Sequence, residues 1–144
     1  MIQLNNGIPG ITDYKKLLDT CDFKDMESFS DTFLNKNRDV LSNYSSKWVS
    51  DPFHQWSRQW EYPFVFSRIS SFIDGVSKEG INILDAGSGA TFFPYYVSAC
   101  CKQVTVDSCD MDAELEVTFN HLNENESRHV RFKISALDNL KYQD

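Results

Sequence analysis

Apolar residues recur every three to four positions through the first third of the chain. They are Leu17 and Leu18, then Phe29, Phe33 and Leu34, and then Val40, Leu41 and Tyr44. This spacing is typical of short amphipathic helices. It predicts a helical extension over residues 1–50, which serves either as a lid or as a packing layer.

The next segment, residues 51–76, is dense in aromatic side chains and is also predicted to be helical. Its apolar helical face consists of Val65, Ile69, Phe72 and Ile73. Pro52 suits the first turn of one helix, and Pro63 is expected to end that helix or to begin the next. Arg58 and Glu61 lie among the aromatic residues, where a charge is expected to be paired or to face a ligand.

From Gly80 onward, short apolar runs alternate with helical patterns. Strands are predicted at Ile81–Leu84, Gln103–Asp107 and Val130–Ile134, with one helix at about Phe93–Cys101 and another after Asp110 or Asp112, where Leu115, Phe119 and Leu122 share a face. The first strand is expected to be buried on both faces. Strands and helices in this order predict an α/β fold with a Rossmann-like parallel βαβαβ unit, preceded by N-terminal helices.

A glycine pair follows the first predicted strand in the run ILDAGSGAT, residues 83–91. Gly87 and Gly89 allow a sharp bend that a ligand can approach closely. A dinucleotide fingerprint needs a third Gly or Ala where Phe92 stands, and Asp85 at the turn would repel a pyrophosphate. The turn therefore favours a nucleoside that carries positive charge, and it disfavours a nicotinamide dinucleotide and hence an oxidoreductase.

The second strand is predicted to end at an acidic residue. In QVTVDSCDMD, Asp107 would close the strand and accept hydrogen bonds from both ribose hydroxyls, with Asp110 as the alternative. Asp85 and Asp107 are then expected at the tips of adjacent strands, on either side of the glycine turn.

These residues resemble motifs of the class I S-adenosylmethionine-dependent methyltransferases. ILDAGSGAT and VTVDSCD are similar to the family's first two motifs, and WSRQWEYPF resembles an aromatic lead-in that covers the cofactor pocket in some members. The resemblance implies S-adenosylmethionine as cofactor, with contacts at Asp85, Ala86, Gly87, Ser88, Gly89, Asp107, Ser108 and Leu137. Asp85 and the glycines would surround the methionine part, and Asp107 would hold the ribose.

The sequence departs from the family pattern at two positions. Thr91 stands where a third glycine is usual. SALDNLKYQD resembles the segment that flanks the adenine, but Ala136 occupies the place of its usual acid, and Asp138 is the candidate substitute.

The resemblance spans about Ser57–Asp144, which we interpret as a partial cofactor-binding domain over residues 51–144. Strands four to seven of the family's sheet are missing from the sequence. The chain is therefore expected to be a fragment of a longer enzyme, a protein completed by a partner chain or a second copy, or a natural short form whose N-terminal helices cover the gap.

Two functions follow from the resemblance. The first is methyl transfer to a small molecule or protein, in which the chain is either the enzyme itself or the cofactor-binding half of one. Such transfer depends on positioning and needs no protein nucleophile, so no residue is assigned as catalytic. Tyr62, Tyr95 and Tyr96 either border the methyl group or belong to the core. The alternative is a truncated, non-catalytic module that acts as a regulatory or assembly subunit.

Charge and cysteine content limit the partners and metal sites that the chain is expected to have. The 144 residues include 14 Lys and Arg against 21 Asp and Glu, a formal net charge of −7, which disfavours nucleic acid and anionic membranes as partners. Cys21, Cys100, Cys101 and Cys109 form no CxxC pair and have no metal-ligand spacing to the histidines. The thiols are therefore expected to be reduced, and no bound metal is expected. A cytoplasmic location is expected because neither a signal peptide nor a membrane span is evident.

Overall fold

The computed structural model describes residues 4, 7, 9–44, 53–76, 80–136 and 138. Within them it contains six α-helices and a three-stranded parallel sheet, which confirms the predicted α/β class and the N-terminal helices. The elements are α1 (Ile11–Leu18), α2 (Cys21–Lys36), α3 (Arg38–Tyr44), α4 (Trp56–Asp74), β1 (Ile81–Ala86), α5 (Phe93–Cys100), β2 (Val104–Asp110), α6 (Glu114–Asn125) and β3 (Arg131–Ile134).

The sheet has the strand order β1-β2-β3, and its register decides which side chains share a face. Asp85 lies opposite Ser108, whereas Asp107 lies opposite Leu84 on one side and Arg131 on the other. Because side chains alternate along a strand, Asp85 and Asp107 point to opposite faces of the sheet. The face of Asp85 is covered by helices. The opposite face of β1 is exposed at Asn82, Leu84 and Ala86, so the expectation that this strand is buried on both faces is wrong.

Two strands are longer than the sequence pattern indicates. β1 continues past Leu84 to Ala86, and β2 continues past Asp107 to Asp110. Ser108 and Cys109, both fully buried, extend β2 because they pair with Asp85 and Ala86 of β1. Beyond β2, an Asp112 carboxylate oxygen accepts a hydrogen bond from the backbone N–H of Glu114 at 3.0 Å, as expected for a residue that caps α6.

Helix α4 runs without a break through Pro63, so the prediction that Pro63 ends or begins a helix is wrong. A proline inside a helix removes one backbone hydrogen bond, yet apolar packing on both sides can hold the helix together. Pro63 is itself buried, as are Trp60 before it and Ile73 near the helix end. Gly75 follows the last helical residue, and Pro52 lies outside the described residues.

The N-terminal helices pack against the α/β unit and share its hydrophobic core. Thr20 begins α2, because its hydroxyl accepts a hydrogen bond from the N–H of Phe23 at 3.1 Å. Farther along, Phe33 lies 5.2 Å from Tyr95 of α5, measured between ring centroids. At the end of α2, the buried Asn37 side-chain amide donates to Glu126, beyond α6, at 2.8 Å.

An aromatic cluster, formed by Phe29, Phe53, Tyr62, Phe92, Phe93 and Tyr96, joins α2, α4 and α5. Phe92 is fully buried at its centre, with ring centroids 5.4 Å from Phe53 and 5.3 Å from Tyr62. Tyr62 also stacks on Phe93 at 4.7 Å. Since Phe92 directly precedes α5 and Tyr62 belongs to α4, the cluster fixes α4 beside the glycine turn.

Candidate functional site

The segment Gly87–Thr91 leaves β1 and forms one wall of a cavity of about 410 Å³. Gly87 and Gly89 have φ values of +72° and +53°, which residues other than glycine rarely adopt, and the space around both is open. The N–H groups of Gly87 and Ser88 donate to the carbonyl of Cys109 at 2.8 and 3.1 Å. The turn is therefore held to β2 while its other side remains accessible to a ligand.

Asp85 contributes a partly buried carboxylate to the cavity wall. Burial, together with a smaller effect of the negative charge of Asp110, raises the pKa of this carboxyl from its ordinary value near 3.8 to about 6. No cation or hydrogen-bond donor in the described part of the chain pairs with it. A buried carboxylate without a partner is costly, and a bound cation would relieve that cost.

The acid at the tip of β2 is Asp110, not Asp107. One Asp110 carboxylate oxygen accepts a hydrogen bond from the N–H of Gly89 at 3.1 Å, and the other accepts from the N–H of Asp112 at 3.1 Å. Asp110 therefore supports the glycine turn directly, next to Asp85. The backbone carbonyl of Asp110 also accepts from the N–H of Ser135 at 2.8 Å, which brings the chain after β3 to the same end of the sheet.

Asp107 lies in the middle of β2, so its predicted place at the strand tip is wrong. Its two carboxylate oxygens accept from the guanidinium of Arg131 at 2.6 and 2.7 Å, on the face of the sheet away from the cavity. The same guanidinium contacts the side-chain oxygen of Asn82 at 3.2 Å. Asp107 is thus engaged in an ion pair across the strands and does not flank the glycine turn.

Ser88 and Ser108 differ in how they relate to the cavity. Ser88 lines it, and its buried hydroxyl has no hydrogen-bond partner among the residues described. Ser108, opposite Asp85, is fully buried and its hydroxyl is likewise without a partner there, but it is not part of the cavity wall. A buried unsatisfied hydroxyl in a cavity wall is an available hydrogen-bonding group for a ligand.

The wall opposite the glycine turn comes from Gln55 and from Arg58 and Tyr62 of α4. The sequence indicated Arg58 and Tyr62 as candidates, but it gave no signal for Gln55. Among the other tyrosines, Tyr95 is buried and donates to Asn123 at 3.1 Å, and Tyr96 packs against Phe29 and Phe66. Tyr95 and Tyr96 are therefore core residues, and Tyr62 alone of the three candidates lines the cavity.

Part of the predicted adenine segment lies outside the described residues. That part consists of Leu137 and residues 139–144, so the predicted contact of Leu137 with the cofactor stays a prediction. Ala136 is partly buried and Asp138 is exposed. Ala86, also predicted to contact the cofactor, does line the cavity.

No protein-family model matches the sequence, and neither the curated proteins nor the solved structures include one that is significantly similar. The described residues contain no group of three or more His, Cys, Asp or Glu side chains arranged to hold a metal ion. No helix among them combines the length and apolar character needed to cross a membrane.

Proposed function

We propose that this chain binds S-adenosylmethionine at the glycine turn and provides the cofactor-binding part of a methyltransferase. The observation that carries the proposal is the unpaired, partly buried carboxylate of Asp85 beside an open turn of two left-handed glycines. A carboxylate in that position favours a ligand with an ammonium group and disfavours a pyrophosphate. The cavity of about 410 Å³ falls in the range of small-molecule sites.

The residues of the cavity fit the parts of such a ligand. Asp85 would accept hydrogen bonds from the ammonium group, and the free hydroxyl of Ser88 offers a further contact. Asp110 is not part of the cavity wall, but it borders the glycine turn through the N–H of Gly89, and it retains further acceptor capacity for a ribose hydroxyl. We therefore move the ribose role from Asp107 to Asp110.

The chemistry of transfer needs little from the chain itself. Bound S-adenosylmethionine would supply an activated methyl group on a sulfonium. The protein would then orient the ligand between α4 and the glycine turn and exclude water on the side of the aromatic cluster. The hydroxyl of Tyr62 borders the same cavity, where the side chain of Thr91 is its hydrogen-bond partner, and burial raises its pKa above the ordinary value.

A ligand-dependent stability measurement tests the proposal. At 100-fold excess over its dissociation constant, S-adenosylmethionine should stabilise the protein by about 2.7 kcal/mol, which raises the melting temperature by roughly 8 °C. Asp110→Ala should lose most of this shift, while Asp107→Ala should keep it because Asp107 faces away from the cavity. S-adenosylhomocysteine and NAD are measured in parallel. A shift with NAD alone, or with none of the three ligands, would reject the proposal.

Binding should also depend on pH, because the ionised form of Asp85 is the one that attracts a cation. With a pKa of about 6, Asp85 is mostly ionised at pH 7 and mostly protonated at pH 5. The apparent dissociation constant for S-adenosylmethionine should therefore be roughly tenfold higher at pH 5 than at pH 7. Calorimetric titrations at both values measure it. Asp85→Asn should bind weakly at both, and an equally steep pH dependence in that variant would exclude Asp85 as its source.

A further inference from the structure

The cavity beside the glycine turn carries a positive and a negative side chain on facing walls. Arg58 is the third residue of α4, and Asp85 lies near the end of β1. Opposite charges in one small cavity usually pair with each other. Here they do not, which leaves space between them for a ligand that carries both charges.

The positions of Glu61 and Tyr62 explain why the two charges remain apart. Arg58 forms an ion pair with Glu61, one helical turn farther along α4. The carboxylate of Asp85 forms no ion pair with Arg58 or with another cation of the described residues. The guanidinium of Arg58 also lies over the ring of Tyr62, 5.8 Å from its centroid, which keeps it on the α4 side of the cavity.

The ion pair of Arg58 is of a kind that a ligand can displace. Both partners are about half exposed, at 46% and 47% of their side-chain surface, and exposed ion pairs add little stability. A guanidinium binds a carboxylate through two parallel hydrogen bonds, which makes it selective for that group. Arg58 is thus available to exchange Glu61 for a carboxylate that enters the cavity.

We propose that Arg58 is a specificity residue that binds the α-carboxylate of the ligand, while Asp85 binds its α-ammonium group. The cavity then recognises the complete amino-acid end of an adenosyl ligand, in addition to its nucleoside. This inference rests on the proposed function, because it assigns a second contact to the same ligand.

Decarboxylated S-adenosylmethionine isolates the contribution of the carboxylate. The acidic protein, with a net charge of −7, favours this more cationic ligand through long-range attraction. A preference for S-adenosylmethionine therefore requires a specific cation in the cavity. We expect the wild type to bind S-adenosylmethionine at least tenfold more tightly than the decarboxylated form, as measured by calorimetric titration.

Three variants locate the source of that preference. Arg58→Gln should bring the ratio of the two dissociation constants to about one or reverse it, while Glu61→Gln should increase the ratio severalfold because it frees Arg58. Arg38→Gln is the matched control. It removes an exposed arginine that contacts Asn35 at the end of α2, away from the cavity, and it should leave the ratio unchanged.

The outcomes separate this inference from the proposed function. Equal affinity of the wild type for both ligands, or a ratio that Arg58→Gln leaves intact, would overturn the role of Arg58 while S-adenosylmethionine binding stands. A folded protein that binds neither ligand would reject the proposed function and this inference with it. 5′-Methylthioadenosine, which lacks the whole amino-acid end, should bind more weakly than S-adenosylmethionine, and comparable affinity would also contradict the inference.

Discussion

Replacing Asp85 with asparagine should make the protein more stable at pH 7.5 and should weaken its binding of S-adenosylmethionine. The carboxylate is partly buried without a partner, and burial raises its pKa to about 6 in the folded protein. Above that pH, the folded state must hold a charge that the unfolded chain holds at no cost. The asparagine side chain removes this charge with little change of shape, so we expect a gain on the order of 2 kcal/mol.

The dependence of this gain on pH identifies its cause. The folded carboxyl binds its proton more tightly than the unfolded one, so the wild type loses stability as pH rises from about 4 to above 6. The difference between Asp85→Asn and the wild type should therefore be largest above pH 6.5 and should almost vanish near pH 4. Denaturant unfolding at four or five pH values measures it.

Asp107→Asn provides a control of opposite sign. It removes a carboxylate that is paired with the exposed Arg131, so it should cost stability, by about 0.2 to 1 kcal/mol. If Asp85→Asn were less stable than the wild type at pH 7.5, Asp85 would have a favourable partner in the folded state. The proposal that its charge is reserved for a ligand would then be wrong. A gain in stability with a loss of binding is the usual result at a functional site.

The difference between Asp107 and Asp110 shows where a sequence pattern stops being informative. Val104–Val106 is a run of β-branched residues that ends at an acid, and such a run predicts the end of a strand at Asp107. The strand continues because Ser108 and Cys109 pair with Asp85 and Ala86 of β1. Small polar residues have little preference for strands, so only the pairing of β1 with β2 decides that the acid at the tip is Asp110.

Local signals were sufficient for other parts of the fold. The helical spacing predicted α1–α3 and the buried face of α6, and the glycine pair predicted an open turn after β1. Long-range packing decided the rest. Pro63 was expected to interrupt α4, but it lies inside the helix because buried residues on both sides hold it against the core. No sequence pattern indicated that Gln55 lies near the glycine turn, since that proximity depends on how α4 docks.

Phe92 lies at the centre of the aromatic cluster that docks α4, and Phe92→Ala should be the most destabilising single change considered for this protein. Phe92 is fully buried, and its ring contacts those of Phe53, Tyr62 and Tyr96. Truncation of a fully buried phenylalanine leaves a cavity and costs about 3 to 5 kcal/mol, which is a large fraction of the stability of a typical domain. The measurement is denaturant unfolding of both proteins.

Phe72→Ala is the matched control, because Phe72 lies on α4 but is 61% exposed, and its loss should cost about 0.5 kcal/mol or less. The Phe92 variant should also bind S-adenosylmethionine more weakly under conditions where it remains folded, because Tyr62 then loses one of the three rings that pack against it beside the glycine turn. A loss of stability below about 1 kcal/mol in Phe92→Ala would mean that α4 is not fixed by the aromatic cluster. The facing wall that carries Arg58 and Tyr62 would then need another support.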